Sequence, residues 1–242
     1  MDSPEVETPA IPDKSSVLQE IYHRLYQRYG PQYWWPGEGP LDVIIGAILT
    51  QSAAWPNVEQ ALYNLKQADC WSLKAIHRCP PADLAAIIRP CGYFNTKARK
   101  LKAFAEHIIN QYGGDLEEFL AQDPGPLREE LLSIYGIGPE TADDILVYAA
   151  EQPSFVIDAY TVRILQRMGL SPTEKRWGYH SYQALFHADL PQDVSLFNEY
   201  HALLDQHAKK VCTRTPKCQG CCLQDLCATG QQRATESLCQ ID

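Results

Sequence analysis

The strongest constraint on the fold is a Gly-Ile-Gly turn, Gly136 to Gly138, which separates two stretches of helical periodicity. Glycine has no Cβ, so it permits positive φ and lets a ligand approach the backbone closely. The second stretch starts at Pro139, a residue typical of the first position of a helix. The unpaired N–H groups and the positive dipole end of that helix would therefore point at the turn. We expect the turn to bind an anion, and a DNA phosphate fits.

A lone aspartate, Asp158, follows the second stretch by about two helical turns. A Gly-x-Gly sequence by itself often does no more than break two core helices. The aspartate adds a carboxylate, the kind of group that performs acid–base chemistry. The two features together predict a phosphate-binding turn joined to a candidate catalytic acid.

The segment from Leu131 to Arg163 resembles the helix-hairpin-helix, Gly/Pro-rich, aspartate signature of the endonuclease III superfamily of DNA glycosylases. The matching residues are Gly136-Ile137-Gly138, Thr141-Ala142, Pro153, Val156-Ile157-Asp158, Thr161 and Arg163. In that family the aspartate at the Asp158 position is the essential catalytic carboxylate. The resemblance therefore implies a base excision DNA repair enzyme whose partner is double-stranded DNA that contains a damaged base.

The chain has 242 residues, 45% of them apolar, which suffices for one large domain or two small ones with a real core. Its apolar runs are too short to span a membrane. Residues 1–14 are acidic and rich in proline, unlike a secretory signal, and we expect a disordered tail there. We expect a monomer in the cytoplasm, associated with the nucleoid.

The formal net charge of −9 argues against nonspecific coating of DNA, so binding would need a local basic face. Two runs are candidates, although either could be an ordinary solvated helix face. The first run is Lys97, Arg99, Lys100 and Lys102, and the second is Lys209, Lys210, Arg214 and Lys217. We assign Lys97, Arg214 and Lys217 as candidate DNA contacts.

Nine cysteines without a signal peptide indicate a reducing compartment, where metal ligation is more common than disulfides. Five of them lie within sixteen residues, from Cys212 to Cys227. The spacing supplies enough soft ligands for zinc or for an iron–sulfur cluster and does not choose between them. The remaining cysteines, Cys70, Cys79, Cys91 and Cys239, have no predicted ligand role.

This segment resembles the cluster loop of endonuclease III, which holds a [4Fe–4S] cluster, and the resemblance favours that cofactor. It implies four ligands, Cys212, Cys218, Cys221 and Cys227, with Cys222 as a bystander. The first two ligands are separated by five residues, one fewer than in the family, and a structural zinc site is the alternative. The role of the metal would be structural or DNA-orienting.

Helical periodicity dominates the rest of the chain, and strand patterns are nearly absent. The predicted helices cover residues 15–29, 41–50, 58–66, 96–111, 126–134, 139–149, 159–168 and 196–208. The fold class is therefore all-α. The resemblance implies two helical lobes. A central six-helix lobe with the hairpin would span 38–150, and a second lobe would combine 15–37 with 151–242, including the cysteine loop at 212–227.

Two further residues follow from the resemblance of LDVIIGAILTQSAAWPNVEQAL to the family's helix and wedge loop. Gln51 occupies the position of a glutamine that fills the hole left by a flipped-out nucleotide. Its alternative role is to cap a surface helix. Trp55 lies just beyond that loop, where we expect its ring to stack on a base.

The chain departs from the family at the catalytic lysine. Bifunctional members carry a lysine two residues beyond the second hairpin glycine, where this chain has Glu140. A carboxylate cannot form the Schiff base on which strand cleavage depends. We therefore expect a monofunctional glycosylase. Glu140 could be an exposed first-turn residue that interacts with the helix dipole, or a pocket residue that recognises or protonates the leaving base.

The substrate is the least constrained prediction. Trp34-Trp35-Pro36, the wedge loop with Trp55 and Glu140 resemble the endonuclease III-like 3-methyladenine glycosylases, a subgroup that usually lacks the cysteine loop. A tryptophan-rich pocket suits a cationic alkylated purine. Oxidised pyrimidines and uracil or thymine mismatches are alternative substrates, and a non-catalytic binder of DNA structures is the alternative function.

Overall fold

The computed structural model describes residues 14–35, 37–172 and 178–238, and the regular structure within these ranges is helical, without a β-strand. The all-α prediction is confirmed. No helix in the same ranges is both long and apolar enough to span a bilayer. Thirteen of the predicted tail's residues, 1–13, and Cys239 lie outside the described residues.

The α-helices are α1 (Lys14–Tyr29), α2 (Pro40–Thr50), α3 (Trp55–Gln67), α4 (Leu73–Arg78), α5 (Pro81–Ile87), α6 (Phe94–Tyr112), α7 (Leu116–Leu120), α8 (Pro124–Ser133), α9 (Pro139–Asp144), α10 (Ala159–Met168), α11 (Tyr179–Asp189), α12 (Val194–Lys210) and α13 (Ala228–Leu238). A 3-10 turn at Arg89–Cys91 precedes α6. A π-helical segment, Ile145–Ala149, continues α9.

All eight predicted helices are present, with ends that differ by at most a few residues. The helices that periodicity missed are α4, α5, α7, α11 and α13. The first three have six, seven and five residues, too few to repeat an apolar position over two turns. Helix α13 has few apolar residues in its sequence, ATGQQRATESL.

One compact unit comprises residues 33–159 and 192–202. Its central element is α2, whose residues from Asp42 to Leu49 are all buried. A helix that is apolar on every side belongs in a core, and α2 contacts α3, α6, α9 and the π-helical segment. The unit extends beyond the predicted boundary at residue 150 because the ring of Phe155 packs against Phe197 and Tyr200, with centroids 5.3 and 5.6 Å away.

Lys97 lies inside this unit, on the buried face of α6, with 2% of its surface exposed. Its Nζ donates hydrogen bonds to the carbonyl oxygens of Leu49 (2.8 Å) and Cys91 (2.6 Å). Desolvation lowers the pKa of Lys97. The predicted contact with DNA does not fit this position, because the ammonium caps the ends of α2 and the 3-10 turn.

The other compact unit comprises the described residues of 1–32, 160–191 and 203–242. Helix α1 packs against α11. Arg24 of α1 pairs with Asp225 at 2.5 Å and donates to the carbonyl of Cys222 at 3.3 Å. The hydroxyl of Tyr29 lies 2.9 Å from Nδ1 of His207 in α12. Helix α1 is therefore joined both to the cysteine-rich segment and to the helix that leads into it.

Candidate functional site

The Gly-Ile-Gly turn connects α8 to α9 and forms a helical hairpin. Ile137 is buried in the middle of the turn, and its N–H donates to the carbonyl of Ile134 at 3.1 Å. Ala142 then donates to the carbonyl of Gly138 at 2.9 Å, which starts the hydrogen bonding of α9. The buried isoleucine anchors the turn, so that the flanking glycines lie nearer the surface.

The two glycines of the turn have different conformations. Gly136 has a φ of +87°, the left-handed region that favours glycine, and a Cβ there would collide with the side chain of Lys100. Gly138 has a φ of −99° and a ψ of 179°, which any residue adopts, and no atom lies within 4 Å of a Cβ placed there. The expectation of positive φ holds for Gly136 and is wrong for Gly138. The space beside Gly138 is open to a ligand.

Gln51 follows α2 and lies against this hairpin. Its Nε2 donates to the carbonyl of Gly136 at 3.2 Å and to Oγ1 of Thr141 at 2.9 Å. Its Oε1 accepts a hydrogen bond from the ammonium of Lys100. The candidate wedge residue and the candidate phosphate-binding turn are thus in direct contact.

Asp143 links the elements that carry the site. It is fully buried and accepts two hydrogen bonds from Arg128 of α8, at 2.8 and 3.0 Å. Ser154 donates to the same carboxylate at 2.7 Å, from the segment that leads to Asp158. One carboxylate therefore joins both hairpin helices to the chain that bears the candidate catalytic acid.

Three carboxyl groups interact electrostatically beside the hairpin. Asp158 is half-buried. Glu140 is an exposed residue of the first turn of α9, as one of its two predicted roles requires. The protein nevertheless partly desolvates its carboxyl group and, together with the charge of Asp158, raises its pKa to about 7. Asp144 is 4% exposed, and desolvation, followed by the charges of Glu140, Asp158 and Asp143, raises its pKa well above the usual value. These raised pKa values favour the protonated forms of Glu140 and Asp144.

Asp144 was not predicted from the sequence. Its signal is the spacing from Glu140, because residues four apart lie on one face of a helix and two like charges there destabilise each other. The spacing marks the two carboxyl groups as neighbours on one short helix, and the burial that raises the pKa of Asp144 is visible only in the structure.

An aromatic group lies in the same compact unit. The Trp35 ring is 5.2 Å from Trp55 and 5.3 Å from Tyr148, and Trp34 is 6.3 Å from Trp55. Trp35 packs on Gly46 of α2, where a Cβ would lie 3.0 Å from the indole. The glycine inside α2 therefore makes room for this ring. Periodicity did not identify Tyr148, which lies in the π-helical segment, a kind of distortion common at functional sites.

The hydroxyl of Tyr148 is 2.6 Å from Nδ1 of His201, which fixes the tyrosine beneath Trp35. Trp55 is half-buried, so part of its ring remains accessible to a ligand. Trp34, Trp35 and Trp55 are all half-buried, and Trp35 is the one that packs on Gly46 and Tyr148.

The structure places the predicted basic residues in different environments. Arg214 and Lys217 are exposed in the cysteine-rich segment, where a phosphate could reach them. In α6, Lys102 donates to the carbonyls of Ile76, His77 and Cys79, so its ammonium caps α4. The run in α6 is therefore not a single basic face.

The four predicted ligands Cys212, Cys218, Cys221 and Cys227 line one cavity, which Cys222 does not line. The atom-free space beside these residues amounts to about 380 Å³ when open solvent is included, so it is not an enclosed volume. Its wall includes apolar residues, among them Ile164, Met168, Val211 and Leu223. An arrangement of four thiols around one apolar-walled space fits a prosthetic group with cysteine ligands.

Hydrogen bonds already organise this cavity. Arg167 donates to Sγ of Cys212 at 3.1 Å and to the carbonyls of Cys212, Thr213 and Arg214 at 3.2, 2.7 and 2.9 Å. No three Cys, His, Asp or Glu side chains among the described residues converge closely enough to hold a single metal ion.

Comparison with known proteins identifies a family and relatives to which this chain is similar. Residues 45–183 match the family described as "HhH-GPD superfamily base excision DNA repair protein". A protein of Methanocaldococcus jannaschii provisionally named as a DNA repair glycosylase is 41% identical over 217 residues, which are 89% of this chain and 97% of the relative.

Two solved structures have a similar fold. The H. pylori 3-methyladenine DNA glycosylase MagIII, bound to 1,N6-ethenoadenine, is 25% identical, with a TM-score of 0.68 over 82% of this chain and 98% of its own. A non-covalent endonuclease III–DNA complex is 18% identical, with a TM-score of 0.79 over 93% of this chain and 100% of the enzyme. At that identity the second likeness concerns the fold alone.

Alanine substitutions should affect the two hairpin glycines differently. Gly136→Ala should lower the free energy of unfolding by about 1 to 3 kcal/mol, because the alanine would be strained at positive φ and crowded by Lys100. Gly138→Ala should leave stability within about 0.5 kcal/mol, since the site is open and its φ is ordinary. Urea denaturation measures both values.

Binding to duplex DNA provides the second readout. Gly138→Ala should weaken binding in fluorescence anisotropy, because the added methyl group occupies the space where a phosphate would approach the turn. Unchanged binding by Gly138→Ala would mean that the phosphate approaches elsewhere, and full stability of Gly136→Ala would contradict the crowding by Lys100.

Proposed function

The chain belongs to the HhH-GPD superfamily of base excision DNA repair proteins, and on that premise we propose that it is a monofunctional glycosylase with a preference for alkylated purines. The observation that carries the proposal is the pair of carboxyl groups formed by Asp158 and Glu140 beside the hairpin. Glu140 occupies the position at which bifunctional members carry their Schiff-base lysine. The pair can support hydrolysis, but Glu140 cannot form an imine.

Asp158 performs the central step. Its carboxylate either accepts a proton from a water whose oxygen bonds to C1′, or stabilises the cationic sugar until that water arrives. The bond between C1′ and the base nitrogen breaks, and the base leaves with the bonding electron pair. The products are a free base and an abasic site in an intact strand.

Glu140 supplies a proton to a neutral leaving base. A pKa of about 7 keeps a large part of its carboxyl groups protonated at neutral pH, so Glu140 can donate where an ordinary glutamate could not. A cationic alkylated purine already carries the positive charge that makes it a good leaving group. Such a base needs no proton from Glu140.

The aromatic group supports alkylated purines as substrates. Trp55 offers a partly accessible ring, and Trp34 and Trp35 lie beside it. The electron-rich face of an indole attracts a cation by about 0.5 to 2 kcal/mol, depending on desolvation. A positively charged base would therefore gain more from these rings than its undamaged neutral counterpart.

A [4Fe–4S] cluster is the cofactor that we propose for the cysteine cavity, with Cys212, Cys218, Cys221 and Cys227 as ligands. When bound, it would cross-link a segment that has little apolar core of its own. Arg167 would hold the carbonyls of the loop and contribute a positive charge next to the Cys212 sulfur. The exposed Arg214 and Lys217 would then be presented to the DNA backbone.

A lesion panel tests the reaction. Purified protein incubated with duplexes that carry single alkylated, oxidised or mismatched bases should release free base, and the strand should break only after alkali. Asp158→Asn should reduce base release by about 10²-fold or more while sparing DNA binding. Strand cleavage without alkali, together with a borohydride-trapped complex, would exclude the monofunctional mechanism. Full activity of Asp158→Asn would refute the catalytic assignment.

The pH dependence tests Glu140. For a neutral lesion such as 1,N6-ethenoadenine, the rate of base release should fall as pH rises through about 7, because the protonated acid is lost above its pKa. Glu140→Gln should abolish this decrease of the rate with rising pH and should lower the rate below pH 7. Glu117→Gln, at an exposed first-turn glutamate of α7, is the matched control and should change neither. If the rate of the Glu140→Gln protein still falls as pH rises through about 7, another group titrates in that range.

Adjacent cysteines test the cofactor. Cys221→Ser should lose iron and the broad visible absorption of an iron–sulfur protein, since Cys221 lines the cavity. Cys222→Ser should retain both, because Cys222 does not line it. Iron analysis and absorption spectra measure the outcome. If the wild-type protein contains stoichiometric zinc and no iron, the site is the structural zinc site, and the cluster assignment is wrong.

A further inference from the structure

We infer that Lys100 is a positioning residue that holds Gln51 on the hairpin, so that phosphate binding and insertion of the glutamine into the DNA stack act as one rigid step. The inference rests on the proposed function, because it concerns how the enzyme stabilises a flipped-out nucleotide. It assigns to Lys100 a role distinct from a simple phosphate contact.

The first support is the hydrogen bonding of the Gln51 side chain. Its amide nitrogen donates to both the Gly136 carbonyl and the Thr141 hydroxyl, at 3.2 and 2.9 Å. A primary amide has two N–H donors, and both are used. Its carbonyl oxygen accepts from Lys100. A long polar side chain that would otherwise sample several rotamers is fixed at both ends of its amide.

The second support is the packing of Lys100 itself. The methylene chain of Lys100 covers Gly136 so closely that no side chain fits there. Lys100 is half-buried, and desolvation lowers its pKa, as expected for an amine held against the protein surface. The absence of a side chain at Gly136 therefore leaves room for Lys100, which reaches Gln51.

The third support is the use of the ammonium group. An ammonium has three donors, and among the described residues Lys100 donates only to Gln51. Lys102 on the same helix instead donates to three backbone carbonyls, those of Ile76 and His77 in α4 and that of Cys79, which follows α4. A charge-assisted hydrogen bond is about twice as strong as a neutral one, so Lys100 is the strongest single restraint on the Gln51 carbonyl.

The consequence is a preorganised wedge. Gln51 is bonded to the carbonyl of Gly136, a residue of the candidate phosphate-binding turn, so movement of one carries the other. Preorganisation lowers the ordering cost that a free side chain would incur on entering the duplex. The Lys100 ammonium provides the restraint, while its methylene chain provides the packing.

Base flipping in the Asp158→Asn background tests the inference without any dependence on chemistry. A 2-aminopurine next to the lesion reports flipping at saturating protein. Lys100→Met keeps the methylene cover over Gly136 and removes the ammonium, and it should reduce the flipping equilibrium about tenfold. Lys100→Arg should restore most of it, because the guanidinium keeps a charged donor. Lys102→Met, which removes the same charge from the same helix, should leave the 2-aminopurine signal at saturation unchanged.

A double-mutant comparison gives the decisive outcome. Gln51→Ala should also reduce flipping, and Lys100→Met should cause no further loss when Gln51 is already alanine. Additive losses, or a Lys100→Met protein that binds DNA more weakly but flips the base normally at saturation, would overturn the inference. Failure of base release on every lesion would refute the proposed function and leave the flipping result intact.

A measurement on the wild-type protein without DNA keeps the inference testable even where a variant is poorly folded. The side-chain amide protons of Gln51 should exchange slowly in wild-type protein and in Lys100→Arg, and rapidly in Lys100→Met, by nuclear magnetic resonance. Equally rapid exchange in the wild-type protein would show that the glutamine is not held, which would also overturn the inference.

Discussion

The hairpin depends on the buried pair of Asp143 and Arg128. Asp143 has no exposed surface, and a buried carboxylate is tolerated only when its lone pairs are used. Arg128 supplies two parallel hydrogen bonds and Ser154 a third, so the charge is paired and bonded from two directions. Such a pair adds little net stability, but loss of one partner costs about 3 to 5 kcal/mol. It therefore specifies one geometry for α8, α9 and the segment that ends at Asp158.

That geometry has an electrostatic consequence. Asp158 lies near Glu140 and Asp144, and the protein partly desolvates the Glu140 carboxyl group and buries Asp144. Desolvation and the neighbouring negative charges raise the pKa values of Glu140 and Asp144, which favours their protonated forms. The proposed division of roles between acid and base rests on this raised pKa of Glu140 beside Asp158.

The fold class, the eight long helices and the hairpin could be read from the sequence, because each rests on local periodicity or on turn residues. The roles of individual lysines could not. Lys97 and Lys100 look alike in the sequence, yet one is buried under two carbonyls and the other reaches Gln51. That difference depends on where α6 packs, which charge patterning does not encode. Asp144 was missed although its spacing from Glu140 is local, because its burial depends on packing. Tyr148 was missed because it lies in a π-helical distortion and contacts Trp35, which is distant in the chain.

The seat of Trp35 on Gly46 has a consequence for how such a protein can change its substrate. Gly46 lies in α2, and Gln51 directly follows the last residue of that helix, about 7.5 Å farther along its axis. A mutation that enlarges residue 46 would either expel the Trp35 indole or shift α2, and a shift of α2 would displace Gln51 as well. If Gln51 and the aromatic residues act as proposed, a change of substrate through residue 46 would also disturb Gln51, whereas a change at Trp55, which does not pack on Gly46, would leave α2 in place.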